Sequence, residues 1–137
     1  MRRIRLGYIV MVLLVIFASC SKDKQVLLEN TWLVEYTKEN ADSELVYPYF
    51  DFSILSFIEK DKYVFQSETY CIIGRVNVES GNKISFEWTG TSPESRFARS
   101  FIISLVGVNQ YEIDGDKLVL KGDNGEEIRF VKKIFKK

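Results

Sequence analysis

The clearest periodicity in the chain lies between Arg75 and Trp88. Arg75, Asn77 and Glu79 alternate with Val76 and Val78, Ser80-Gly81-Asn82 interrupts, and Ile84, Phe86 and Trp88 then alternate with Lys83, Ser85 and Glu87. A period of two, with one dry face and one wet face, predicts an antiparallel hairpin packed on a single side. The same reading upstream predicts a first strand over Thr31–Thr37, with Trp32, Val34 and Tyr36 on the core side and Thr31, Glu35 and Thr37 on the other. Asp51 to Ile58 and Tyr63 to Ser67 read as two strands joined by the charged turn Glu59-Lys60-Asp61-Lys62. Gly74, just ahead of the clearest hairpin, marks a bulge or a bend. Downstream, Val108, Tyr111 and Ile113, then Leu118-Val119-Leu120, then Ile128 and Phe130 are separated by Asp114-Gly115-Asp116 and Gly122-Asp123-Asn124-Gly125, which predicts a three-stranded meander.

One segment departs from the period of two. Ser92-Pro93-Glu94 reads as an N-cap, a first-turn proline and a first-turn acid. Phe97, Phe101 and Leu105 then recur every four residues with Ile102 beside them, Arg96, Arg99 and Ser100 take the opposite face, and Gly107 ends the run. An amphipathic helix follows, with a strand through Ile102–Leu105 as the alternative. Lys22–Gln25 reads as a charged tether, and Val26–Asn30 leads into the first strand. The expected fold class is mainly β: an antiparallel curled sheet or small β-barrel with one amphipathic helix packed near one end.

The first residues follow a different logic. Arg2, Arg3 and Arg5 precede an uncharged apolar run from Leu6 to Ala18, the n-region and h-region of a secretory signal. As a helix this run spans about 20 Å at ~1.5 Å per residue, short of a ~30 Å hydrocarbon core. Ala18 and Ser19 directly before Cys20 resemble the bacterial lipobox, with Phe17 in place of the usual leucine. The resemblance implies cleavage before Cys20 and acylation of its thiol, and several acyl chains at ~0.8 kcal/mol per buried CH₂ anchor a protein firmly. Ser21, not an aspartate, follows the cysteine, and by resemblance to lipoprotein sorting signals that points to the outer membrane. The expected organisation is a signal peptide at 1–19, a lipidated tether at 20–25 and one β domain at 26–137.

Composition removes several functions. The 19 basic and 19 acidic residues balance, but three of the basic ones lie in the leader, leaving 16 against 19. That excess is acidic, so no nucleic-acid surface is expected; Lys132, Lys133, Lys136 and Lys137 read as a solvated tail. With Cys20 acylated, Cys71 has no disulfide partner, and its neighbours Tyr70, Ile72 and Ile73 suggest a buried small hydrophobe. Histidine is absent, which removes Ser-His and Cys-His nucleophiles within this chain and the commonest metal ligand. Asp114 with Asp116, and Asp123 with Glu126 and Glu127, sit where glycine turns want acids, so they read as turn residues. No catalytic residue, cofactor or metal ligand is expected. Tyr47, Tyr49 and Phe50 flank Pro48 in a loop and form the candidate contact surface, since tyrosine suits a position with one dry edge and one wet edge.

The C-terminal pattern carries a family resemblance. Glu94-x-x-Phe97, then Leu105-x-x-Val108-x-x-Tyr111-x-Ile113-Asp114-Gly115-Asp116-x-Leu118-x-Leu120, closing with Gly125 and Phe130, resembles the second half of the META domain of HslJ-like envelope proteins, and Leu28-x-x-x-Trp32 is similar to its opening strand. The middle departs, with Tyr70-Cys71-Ile72-Ile73-Gly74 where that family often carries a Gly-Cys-Asn turn. The tryptophan near the first strand and the repeated hairpins are similar to lipocalin-like small lipoproteins as well. Both resemblances imply an antiparallel barrel or curled sheet and neither supplies a catalytic set. They imply a monomeric, non-enzymatic envelope lipoprotein, held at the membrane by Cys20, that contacts an envelope partner or contributes to stress tolerance. The alternative is a carrier with a small apolar ligand inside the barrel. Ten phenylalanines and two tryptophans favour a filled core over a hollow one.

Overall fold

The computed structural model describes residues 22–48, 53–67, 70–90, 93 and 95–134. The alternating segments become eight strands: β1 (Trp32–Lys38), β2 (Ser53–Ile58), β3 (Lys62–Ser67), β4 (Tyr70–Glu79), β5 (Lys83–Glu87), β6 (Val108–Asp114), β7 (Lys117–Gly122) and β8 (Glu127–Lys132). Each pairs antiparallel with the next in sequence, and β8 returns to β1, giving a closed up-and-down barrel. Closure leaves no free sheet edge, and eight strands enclose a space that side chains can fill. The expected fold class holds, with a second helix added to the one anticipated.

Strand direction alternates, so the barrel has two distinct ends. Helix α1, residues 22–29, lies at the end where β1 begins, together with the β2–β3, β4–β5 and β6–β7 turns. Helix α2 (Arg96–Gly107) spans the other end, connecting β5 to β6. The residues expected to form a charged tether, Lys22–Gln25, are thus the first part of α1. Their helical state depends on tertiary contacts that a local reading misses. Leu27 is fully buried, Trp32 Nε1–H donates to the Leu27 carbonyl at 3.0 Å, and Asn30 Nδ2 donates to the Val26 carbonyl at 2.8 Å. Two carbonyls that the helix end would leave open are satisfied in this way.

The interior is built from the dry rows. In the hairpin β4–β5, Val76, Val78, Ile84 and Phe86 are buried while Arg75, Asn77, Glu79, Lys83, Ser85 and Glu87 are exposed, as their alternation requires. From β3 and α2, Phe65 stacks on Phe101 with ring centroids 3.9 Å apart, and Phe101 meets Phe130 of β8 edge-on at 6.5 Å. Tyr63 packs edge-on against Phe86 at 5.2 Å. Trp32, Leu55, Tyr63, Phe65, Phe101 and Phe130 are all fully buried, so rings from both halves of the barrel meet in the middle.

Local features differ from their sequence reading. In β1 the register against β8 shifts between Val34 and Tyr36. The extra residue flips the phase, so Thr37 is buried and Tyr36 turns to the outer face beside Arg129. At Gly74 there is no such shift; it pairs regularly with Tyr63. Its role is space, because a Cβ there would lie 2.6 Å from the Tyr63 ring, which crosses β4 so that its hydroxyl can donate to the Glu87 carbonyl of β5 at 2.9 Å. Helix α2 is capped by Ser95, whose Oγ accepts from the Ala98 N–H at 3.1 Å, three residues after the expected Ser92; Ser92 and Glu94 lie outside the described residues. Phe97, Phe101, Ile102 and Leu105 are buried as expected and Arg96 and Arg99 are exposed, but Ser100 is buried, because α2 also lies against β1.

Candidate functional site

The bulge in β1 assembles an outer surface at the α2 end of the β1–β8 seam. The Tyr36 hydroxyl donates to Glu127 Oε2 at 2.6 Å, and the Arg129 guanidinium lies 5.5 Å from the Tyr36 ring centroid. Tyr47 meets the same ring edge-on, with centroids 6.3 Å apart. Its loop is held there by paired backbone bonds, Thr37 N–H to the Val46 carbonyl at 2.9 Å and Val46 N–H to the Thr37 carbonyl at 2.8 Å. Burial, then the hydrogen bond and charge of Glu127, push the Tyr36 phenol up to about 12, so it remains a neutral donor at physiological pH. Tyr47 is 60% exposed and presents most of its ring to solvent. The result is a surface of two aromatic rings, one cation and one anion, with geometry fixed by the ladder beneath it.

Of the residues singled out in the sequence, Tyr47 falls on this surface, while Cys20, Tyr49 and Phe50 lie outside the described residues, as does the whole segment 1–19. Tyr36, Glu127 and Arg129 were missed as surface residues, since unbroken alternation puts Tyr36 indoors. Cys71 is a second correction. It is a free thiol on the exposed face of β4, because strict alternation with buried Ile72 turns it outward. Asp114, the last residue of β6, and the turn residues Asp116 and Asp123 are exposed, whereas Glu126 is buried. Among the described residues no group of three or more His, Cys, Asp or Glu could hold a metal ion, and no helix is long and apolar enough to cross a membrane.

Two of the grooves on the outside of the barrel are sizeable. One, of about 410 Å³, is lined by Lys62, Ile73, Gly74, Arg75, Glu87 and Thr89. The other, of about 520 Å³, lies between α1 and the β2–β3 turn, with Leu28 and Phe57 among its apolar walls and Lys24, Glu29, Glu59 and Lys60 around them.

No family model and no curated protein matches the chain. Solved structures do. A DUF4847 family protein from Bacteroides vulgatus superposes with a TM-score of 0.61 at 14% identity, covering 79% of this chain and 95% of that one. This chain shares that barrel fold. A protein from Burkholderia xenovorans, solved by NMR, gives a TM-score of 0.62 at 17% identity over 82% of this chain and 87% of its own. At such identities the likeness is one of architecture, compatible with a lipocalin-like small barrel.

Proposed function

We propose that the protein is a lipid-anchored, non-enzymatic module of the cell envelope that works by contact, through the rim at the α2 end. The observation that carries this reading is the filled interior. Phe65, Phe101 and Phe130 meet across the barrel, and Leu27 with Trp32 closes the α1 end. A carrier needs inward positions that leave room for its cargo, and these positions are occupied by rings. What projects outward is a fixed aromatic and charged surface at Tyr36, Tyr47, Glu127 and Arg129, of the composition that protein interfaces favour. Kinship with the META domain belongs to this proposal; it is supported by the order of α2 followed by the β6–β8 meander. The anchor belongs to it too, resting on Ala18-Ser19-Cys20 behind an apolar run and on the outer-membrane signal at Ser21.

The test has two arms. Cys20→Ala should move the chain from the membrane fraction to the soluble one; retention in the pellet removes the anchor. A photo-crosslinking residue at position 47 should capture an envelope protein that one at exposed Lys83, on the opposite end, does not. Equal labelling from both positions, or none from 47, removes the contact surface.

A further inference from the structure

The sequence predicts a tether over 20–25 between the acylated thiol and the folded body, but the chain is already helical at Lys22. Only Ser21 separates Lys22 from Cys20, and two residue steps span at most about 7 Å however the chain runs between them. A lipid on Cys20 therefore leaves the barrel no slack. The surface around the start of α1 is held within reach of the bilayer that holds the lipid.

That surface has the features of a lipid contact. β1, which follows α1, pairs with β2 on one side and β8 on the other. Each flanking strand ends in an exposed isoleucine: Ile58, the last residue of β2, is 46% exposed, and Ile134, two residues beyond β8, is 71% exposed. Both gain by leaving water. Lys60, Lys83 and Lys117 stand exposed in or beside the three turns of the same end, and each has an exposed carboxylate close in sequence, Asp61, Glu79 and Asp116. A rim of both signs matches the phosphate and ammonium of a zwitterionic headgroup layer, and lysine stems let the charged head reach a phosphate while the hydrocarbon stays low. The far end lacks this match. Between Lys38 and Tyr47 its loop carries Glu39, Asp42 and Glu44 with no cation, a run that anionic lipid repels.

We propose that the α1 end of the barrel rests directly on the lipid bilayer, with Ile58 and Ile134 entering the headgroup layer on either side of α1 and the barrel axis standing up from the membrane. This rests on the acylation of Cys20 proposed above and deepens it. The lipid supplies attachment, the protein surface supplies orientation, and together they turn the Tyr47 surface toward the aqueous side.

The test uses the full chain matured in a lipoprotein-processing bacterium and placed in phosphatidylcholine vesicles in which some headgroups carry a nitroxide quencher. A fluorophore is attached at Cys71, or at Ile58→Cys or Ile134→Cys in a Cys71→Ser chain. Both isoleucines are exposed, so their replacement leaves the interior intact. Cys71 is the built-in reference: it faces outward on β4 and pairs with Gln66, four residues along β3 from Lys62, which places it about 13 Å farther along the strand from the α1 end. Emission at positions 58 and 134 should fall on adding quencher lipid, while the label at 71 stays bright. Equal quenching at all three positions overturns the proposal, because the barrel then lies on its side. Unquenched labels at 58 and 134 overturn it as well, because the body is then held off the surface. Mass spectrometry of the same sample tells this failure from failure of the anchor. An unmodified thiol at Cys20 removes both readings, whereas a lipidated Cys20 with unquenched labels removes this one alone.

Discussion

The two ends of the barrel are closed in different ways. At the α1 end the closure is apolar: Leu27 sits over fully buried Trp32, whose indole N–H is tied to the helix backbone. At the α2 end, polar groups are sealed in with the rings. Thr37 Oγ1 and Ser100 Oγ share a hydrogen bond of 2.7 Å, Ser104 Oγ lies within donating reach of the Ser100 carbonyl at 2.8 Å and the Lys38 carbonyl at 3.1 Å, and Glu126 lies buried beyond them. A closure made of hydrocarbon tolerates approximate fit, whereas one made of hydrogen bonds requires every partner. The α2 end is thus closed by interlocking polar contacts and the α1 end mainly by hydrocarbon.

The largest test of this contrast is Trp32→Ala, which should destabilise the chain by about 3–5 kcal/mol in urea unfolding, because it removes the stopper and leaves a cavity. Retained stability would mean that α1 does not close that end. Next, Gly74→Ala forces a methyl against the Tyr63 ring and the Glu87 carbonyl, the latter 2.5 Å from the added atom, and should cost about 1–3 kcal/mol of overpacking. In a Tyr63→Ala background the penalty should shrink, since the crossing ring is gone.

At the other end, Thr37→Val or Ser100→Ala alone should each cost about 1–3 kcal/mol by leaving a buried hydroxyl short of its partner, while the double change should cost less than the sum of the two. Additive losses would show that the pair is not coupled. Alkaline pH acts on both ends alike, since Tyr36 at the α2 end and Tyr63 toward the α1 end are both raised to about 12. Burial raises Tyr63 from its usual 10.0 to about 12. Its contribution is fully present below pH 10 and is lost as pH rises toward 12, because the unfolded chain releases the proton first. Unfolding free energy should therefore fall over that window by up to about 1.4 kcal/mol per pH unit from this group, and Tyr63→Phe should flatten the slope.

Legibility followed locality. The β4–β5 hairpin was readable because each residue reports its own face, and the β6–β8 meander because glycine and aspartate punctuate it. The bulge in β1 left no local signature, so Tyr36 and Thr37 were placed on the wrong sides. The first half of helix α1 was read as a tether because its four residues, Lys22–Gln25, are charged or polar, and the helix's fully buried side chain, Leu27, depends on Trp32 outside it. Cys71 was misplaced by weighing its neighbours as a group and ignoring their alternation. Glu126 looked like another turn acid. What distinguishes it is the space beside Gly107, nineteen positions earlier, where a Cβ would collide with its carboxylate, and no periodicity links the two.

The pairing of β8 with β1 brings the entry and exit of the folded body together, with the Lys133 N–H donating to the Thr31 carbonyl at 2.8 Å. The Tyr47 surface lies at the opposite end of the barrel from that junction, roughly 20 Å away for a seven-residue strand.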